Sequence, residues 1–241
     1  MSSVIIAVVC VVLLNINAAT LIVLRSRVYG VGLYRPMLLN VVLSFIPVLI
    51  AIVGVAGLML LVPVLASAGS TAPVVLWIYV VFATLAWLLF FPNSVYLITE
   101  LNLSHREDGE TPVPLWYDIV QTLTLTVSGI ANAVLSLAIV QTVLIVVFID
   151  PTRPVVPASS WAFAVGAIVL GAVGVYLGRY LRVNSWDVRH PIGLLRKLGA
   201  HFRARGKALE AFAFVVTHAL LIALIYVPVY ALAAAVLFPA A

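Results

Sequence analysis

Six long apolar runs constrain the fold of this chain more than any other feature. A stretch of about 20 predominantly apolar residues is long enough to cross a bilayer as a helix. The runs lie at approximately 4–24, 37–66, 74–97, 115–149, 161–181 and 211–237. They predict an all-α polytopic membrane protein, a bundle of six transmembrane helices.

The composition excludes a soluble globular domain. Hydrophobic residues make up 65% of the 241 residues and charged residues only 9%, whereas a soluble domain carries roughly 25% charged residues. The spans also leave no room for a separate soluble domain. We therefore predict one integral-membrane domain over residues 1–241.

The lysines and arginines are distributed very unevenly between the loops. All 13 except Arg153 lie in the loops after the first, third and fifth runs or at their edges. Cytoplasmic loops carry the excess of Lys and Arg, so we predict a multi-pass protein of a cell (cytoplasmic, inner) membrane, with these loops cytosolic and both termini outside. Basic residues beside spans favour membrane lipids as partners, anionic on the cytosolic side, and no nucleic acid.

The basic loop from Val183 to Lys207 has a helical pattern of its own. Leu194, Leu195, Leu198 and Phe202 fall at helical spacing with basic residues between them. The pattern predicts an amphipathic helix on the lipid surface. An ordinary positive-inside anchor is the alternative.

A first polar cluster ends the third run. Asn93, Tyr96 and Glu100 follow Pro92 at spacings of three and four, which would place them on one helical face. Pro92 is expected to kink the helix. The cluster either lines a cavity or is a capped, kinked helix end.

A second cluster begins the fourth run at Asp118, which follows the interfacial pair Trp116 and Tyr117. Asp118 is favoured there by the helix dipole alone. A polar stripe continues inward, and it either lines a path or joins helices. Its members are Gln121, Ser128, Asn132 and Ser136.

A third cluster closes the fifth run. Arg179 lies about one turn inside the helix end, so it either snorkels or pairs with Glu100, Asp118 or Asp187. Gly174 and Gly178 form a small-x-x-x-small pair that favours helix–helix association. The remaining candidate residues of this cluster are Arg182, Asn184 and Trp186.

Other chemistry has little support in the sequence. His218 lies inside the sixth run, where it is either hydrogen-bonded to a neighbouring helix or coupled to proton movement. Phosphate-loop, dinucleotide-binding, nucleophile-elbow and His-Glu-x-x-His motifs are absent from the sequence. We predict no cofactor and no metal, and whether the protein is an enzyme stays open.

The three clusters, in this order, carry a family resemblance. The residues are Phe91–Asn93 with Tyr96 and Glu100, then Pro114–Asp118 with Ser128 and Gly129, then Gly178–Arg182 with Asn184–Asp187. They resemble a bacterial integral-membrane family, the domain of unknown function 1361. The resemblance covers roughly Leu85 to Pro191, with Glu100 where Asp is expected and Val183 where Trp is expected. It implies a multi-pass membrane protein and no particular activity.

The charged clusters are predicted to converge on one site at the cytosolic face. Charges at membrane depth are costly and mark functional sites by default. Three functions fit: binding or processing of a phosphate-bearing lipid or similar amphiphile, a small transporter or channel, and a structural or assembly subunit whose charges only clamp helices.

Overall fold

The regular elements of the described residues are all helical. The computed structural model describes residues 2–66, 71–101, 112–149, 156–181 and 191–237. Within these ranges, six helices are long and apolar enough to cross a membrane, which confirms an all-α, multi-pass membrane protein. The helices are α1 (Ser2–Tyr29), α2 (Arg35–Leu65), α3 (Ala72–Tyr96), α4 (Leu115–Leu144), α5 (Ala158–Tyr180), α6 (Pro191–Arg203) and α7 (Lys207–Leu237).

The helix ends follow local chain chemistry rather than the ends of the apolar runs. α1 continues through Arg25 and Arg27 to Tyr29 and stops at Gly30, which has a φ of 67°. Glycine adopts this left-handed conformation without a Cβ penalty and commonly ends helices. Pro36 lies in the first turn of α2, where its missing N–H group costs little.

Proline does not interrupt α2 or α3. Pro47 and Pro63 lie inside α2, and Pro92 lies inside α3. The change of helix type comes one turn after Pro92, where a 3-10 segment, Leu97–Leu101, replaces the α-helix. A 3-10 helix has 3.0 residues per turn instead of 3.6, so Glu100 leaves the face that Asn93 and Tyr96 share.

The chain divides into two compact units, residues 1–143 and 144–241. In unit 1, α2 packs along α3, and α1 packs on α2. A buried apolar cluster joins α1, α2, α4 and the 3-10 segment. Its members are Ala18, Ile22, Met37, Val41, Leu97 and Leu125.

In unit 2, α5 packs along α7, and the short helix α6 packs on α7. Trp161 of α5 meets the ring of Tyr230 on α7 edge to face, with 5.6 Å between ring centroids. At the other end of these helices, Tyr176 and Ala211 are buried together with Leu198 of α6 packed against them. The unit thus consists of two long helices with α6 docked beside one end.

A buried layer of polar side chains ties the four helices of unit 1 together. Asn15 and Asn132 exchange two hydrogen bonds, of 2.8 and 2.9 Å between nitrogen and oxygen. Asn132 also donates to the Ser44 hydroxyl at 3.0 Å, and the Ser94 hydroxyl donates to the Ser44 carbonyl at 2.5 Å. These partners lie on α1, α2, α3 and α4. At Asn132, the polar stripe of α4 therefore joins helices.

We expect the amide pair to contribute a modest, measurable coupling. Interhelical hydrogen bonds in membrane proteins average about 0.6 kcal/mol, with a maximum near 1.7 kcal/mol. A double-mutant cycle of Asn15→Ala and Asn132→Ala, measured by unfolding in mixed micelles, should give about 1 kcal/mol of coupling. Asn17→Ala is the matched control because Asn17 is exposed on the same helix. Additive single effects would contradict the assignment.

Candidate functional site

An ion pair joins the last turns of α1 to the first turn of α4. The Arg25 Nε donates to the Asp118 Oδ1 at 2.8 Å across 93 residues of sequence. The side chains are 22% and 10% exposed, respectively. Arg25 lies near a helix C-terminus and Asp118 at a helix N-terminus, so both charges complement the helix dipoles. The pair is thus fixed and partly withdrawn from solvent.

Only the inner edge of the Arg25 guanidinium is used in this contact. Guanidinium carries five N–H donors, and the two terminal nitrogens form a planar fork. Nε is bound to Asp118, and no described residue accepts a hydrogen bond from the terminal nitrogens. An arginine held through Nε presents its fork in one orientation, which is the geometry that carboxylate and phosphate groups match in a bidentate manner.

Aromatic residues surround the pair. The Tyr117 hydroxyl donates to the Leu21 carbonyl of α1 at 2.9 Å, which fastens the start of α4 to α1. The Tyr29 ring meets Tyr117 edge to face at 5.2 Å between centroids. Trp116 is exposed and lies 5.5 Å from Tyr117, also edge to face. Exposed tryptophan beside buried tyrosine is typical of a membrane–water interface.

Gln121, one turn further along α4, has an unmet hydrogen-bonding group. Its side chain is buried, and among the described residues Nε2 donates to the Met37 sulfur alone, at 3.4 Å. The Oε1 atom accepts no hydrogen bond from the described residues. A buried acceptor left in this state costs about 1–3 kcal/mol, so the site has a place for a hydrogen-bond donor.

Glu100 forms a second polar contact in unit 1. The Asn40 amide of α2 donates to the Glu100 Oε1 at 3.0 Å, and the Glu100 side chain is buried. Asn40 and Arg25 lie on either side of the α1–α2 turn. The two carboxylates predicted as site residues in this unit, Glu100 and Asp118, are therefore both held by donors from α1 or α2. Asn93 and Tyr96, the other candidates in α3, are half-buried.

Arg179, in unit 2, is half-buried in the last turn of α5. Its predicted convergence with Glu100 and Asp118 stays a prediction. A Cβ at Gly178 would meet no atom within 4 Å, and helix association through Gly174 and Gly178 also stays a prediction. Four candidates lie outside the described residues: Arg182, Asn184, Trp186 and Asp187.

His218 is half-buried and bonds to its own helix. Its Nδ1 lies 2.9 Å from the Phe214 carbonyl, and its ring stacks on Phe214 at 3.7 Å between centroids. Nδ1 thus bonds within α7, and both the bond to a neighbouring helix and the role in proton movement stay predictions. Within the described ranges, no three His, Cys, Asp or Glu residues are grouped so as to hold a metal.

Sequence reasoning missed two residues of this site, Arg25 and Asn40. Arg25 was interpreted only as a determinant of topology, and Asn40 was not singled out. Both carry a sequence signal, because each is a polar residue in the first or last turns of a span. Both also lie next to the loop between the first two spans, which the predicted topology puts on the same side of the membrane as Asp118. Polar residues in such turns deserve equal weight with carboxylates as site candidates.

The family model described as Protein of unknown function (DUF1361) matches residues 39–225 of the chain. The match includes the three sequence clusters and most of the spans. No curated protein and no solved structure matches the chain.

Proposed function

The chain belongs to the family described as Protein of unknown function (DUF1361), and we propose that it binds a phosphate-bearing lipid or similar amphiphile at the charged end of unit 1. Binding is the step that a lipid-processing enzyme and a lipid-binding protein share. The observation that carries the proposal is the Arg25 fork, held through Nε by Asp118.

Electrostatics favour a phosphate at this fork. Charge-assisted hydrogen bonds between arginine and phosphate are about twice as strong as neutral ones. The bond to Asp118 already restricts the side-chain conformations of Arg25. Less conformational entropy is therefore lost when the ligand binds. Exposed Arg27 and Arg35 on the same loop add positive charge without occupying the fork. The unmet Gln121 oxygen would accept a bond from a headgroup hydroxyl or a bound water.

An amphiphile fits better than a soluble phosphate. Arg25 lies at the end of a helix long and apolar enough to span a membrane, near exposed Trp116 and other exposed apolar residues. A ligand whose phosphate occupies the headgroup level can keep its chains in the bilayer. In this proposal the site faces the cytosol in a cytoplasmic membrane, because the basic loops are expected on that side.

Lysine at position 25 should weaken phosphate binding although it preserves the charge. Lysine is a point charge and lacks the planar fork. We expect Arg25→Lys to lower the affinity for farnesyl phosphate roughly 10-fold and Arg25→Gln to lower it more, since each charged hydrogen bond contributes about 1.5–3 kcal/mol. Affinity is measured by titration of the full chain in nanodiscs.

Two controls make this result specific. Farnesol has the same chain without the phosphate and should bind weakly to every variant. Arg27→Gln removes an exposed arginine two residues away, which adds positive charge without occupying the fork, and should lower the affinity far less than Arg25→Gln does. Equal binding of farnesol and farnesyl phosphate, or full affinity in Arg25→Lys, would sink the proposal.

A structural clamp is the second candidate function, and the buried polar layer favours it. Asn15, Ser44 and Asn132 use their polar groups on one another, and Arg25–Asp118 joins two helix ends. A protein that only assembles with others needs no ligand at this site. The titration above separates the candidates, since a clamp leaves farnesyl phosphate unbound by the native chain.

A further inference from the structure

Within unit 2, one face of helix α6 is docked on α5 and α7. The His201 Nε2 lies 2.8 Å from the Tyr176 hydroxyl of α5. Leu198, one turn earlier, packs against the buried cluster of Tyr176, Leu181 and Ala211. The Tyr176 ring also stacks on Phe202 at 6.4 Å between centroids. These contacts fix the rotation of α6 about its own axis.

This rotation leaves a large part of the apolar side of α6 uncovered. Ile192 is 75% exposed, Leu195 is 67% exposed and Phe202 is 40% exposed. Spacings of three and seven residues place these side chains on one strip of the helix. Ile192 and Leu195 are uncovered, and the Phe202 ring keeps an exposed edge although its face stacks on Tyr176. This apolar strip is unfavourable in water and favourable at a bilayer surface.

A basic strip runs beside the apolar one. Arg196 and Arg203 are exposed and seven residues apart, so they share a face. Each follows an apolar strip residue directly, and one residue rotates the helix by about 100°. α6 contains no Asp or Glu, so nothing within the helix neutralises this strip.

The attachments of α6 to its neighbours favour a position at the membrane surface. α7, which begins at Lys207, is long and apolar enough to span a membrane, and three residues separate it from the end of α6. Gly206, with a φ of 81°, makes the tight connection. Leu198 and Tyr176 hold α6 against the end of α5, another membrane-spanning helix. From these attachments we expect α6 at the level of the lipid headgroups.

From these observations we propose that α6 is an anionic-phospholipid binding element. The strip of Ile192, Leu195 and Phe202 enters the boundary between headgroups and acyl chains, and Arg196 and Arg203 bind anionic headgroups above it. Polybasic segments near a span are attracted by anionic lipid. This site uses residues of unit 2 alone and is independent of the Arg25 fork.

Spin labels on the full chain in vesicles measure directly how deeply each side of α6 enters the bilayer. In a Cys10→Ser background, labels are placed at Leu195→Cys and, as control, at Ala200→Cys, an exposed position about 140° away around the helix. With phosphatidylcholine and phosphatidylglycerol at three to one, we expect the Leu195→Cys label to be accessible to oxygen and shielded from a water-soluble nickel complex. The Ala200→Cys label should show the reverse.

The dependence on anionic lipid completes the test. In vesicles of phosphatidylcholine alone, and in the double variant R196Q/R203Q, the oxygen-to-nickel accessibility ratio at position 195 should fall several-fold. The double variant R27Q/R35Q, which removes two exposed arginines from unit 1, should leave the ratio unchanged. A nickel-accessible Leu195→Cys label in both lipid mixtures overturns the proposal. So does spin–spin broadening that increases with protein density, because it indicates a second copy of the chain on this strip.

Discussion

Valine in place of Gly129 is expected to lower the free energy of unfolding by about 3 kcal/mol or more. A Cβ at this position would lie 2.6 Å from the Ser94 carbonyl oxygen and 2.6 Å from the Leu97 Cβ. The first of these atoms is backbone, so α4 and α3 would have to move apart. Alanine should cost about 1–3 kcal/mol, since it adds the Cβ without the two further methyl groups of valine.

The separation of α3 and α4 would also break contacts around the site. The Thr126 hydroxyl donates to the Leu97 carbonyl at 3.3 Å beside Gly129, and Leu97 begins the 3-10 segment that carries Glu100. The Gly129 variants should therefore lose part of the Asn40–Glu100 contact together with stability.

Unfolding of the full chain in mixed micelles, followed by circular dichroism, measures this effect. Gly166→Ala is the matched control, because a Cβ on that glycine of α5 would meet nothing within 4 Å. It should leave the stability unchanged or raise it by up to about 1 kcal/mol, since alanine favours helix. Native stability in Gly129→Val would show that α3 and α4 do not approach each other as closely as described.

Removal of the Arg25 charge is expected to have the second-largest effect. In Arg25→Gln the Asp118 carboxylate, 10% exposed, loses its ion-pair partner. Breaking a buried pair in this way costs 3–5 kcal/mol. Because Arg25 is 22% exposed, we expect about 2–3 kcal/mol in the free energy of unfolding. The neutral double variant R25Q/D118N should recover part of this loss.

Exchange of the two charges separates the pair's structural role from its proposed role in binding. R25D/D118R restores opposite charges, so it should be more stable than the single variants R25D and D118R. Recovery should be partial, because Asp near the end of α1 and Arg at the start of α4 oppose the helix dipoles. If the Arg25 fork binds phosphate, the exchanged variant should still bind farnesyl phosphate poorly. Native binding in R25D/D118R would place the phosphate contact elsewhere.

The sequence predicted the helices well because each span satisfies its own backbone. In lipid, an unpaired N–H or C=O group costs several kcal/mol, so a long apolar run forms a helix whatever its neighbours are. α5, predicted at 161–181, is Ala158–Tyr180. The amphipathic helix predicted within 183–207 appears as α6 at Pro191–Arg203. Differences arise where local turns intervene, as at Gly30 and Leu97.

Side-chain partners were much harder to predict. The spacing of Asp118 and the stripe beyond it indicated a polar face on α4, and the structure buries that face. Nothing in the spacing identified Arg25 as the partner of Asp118 or Asn15 as the partner of Asn132, 117 residues away. Such pairs depend on how far each helix is rotated and shifted along its axis, and this is set by the packing of many apolar side chains together.

The amino-acid sequence by itself determined that this is an all-α, multi-pass membrane protein, and which segments form its spans, because backbone hydrogen bonding in lipid is a property of each segment alone. Only the tertiary structure decided which donors hold Asp118 and Glu100, which edge of Arg25 stays open, and which strip of α6 remains uncovered. Those outcomes depend on contacts such as Gly129 against Ser94 and His201 against Tyr176. These contacts form only when helices distant in sequence pack at one particular rotation and depth.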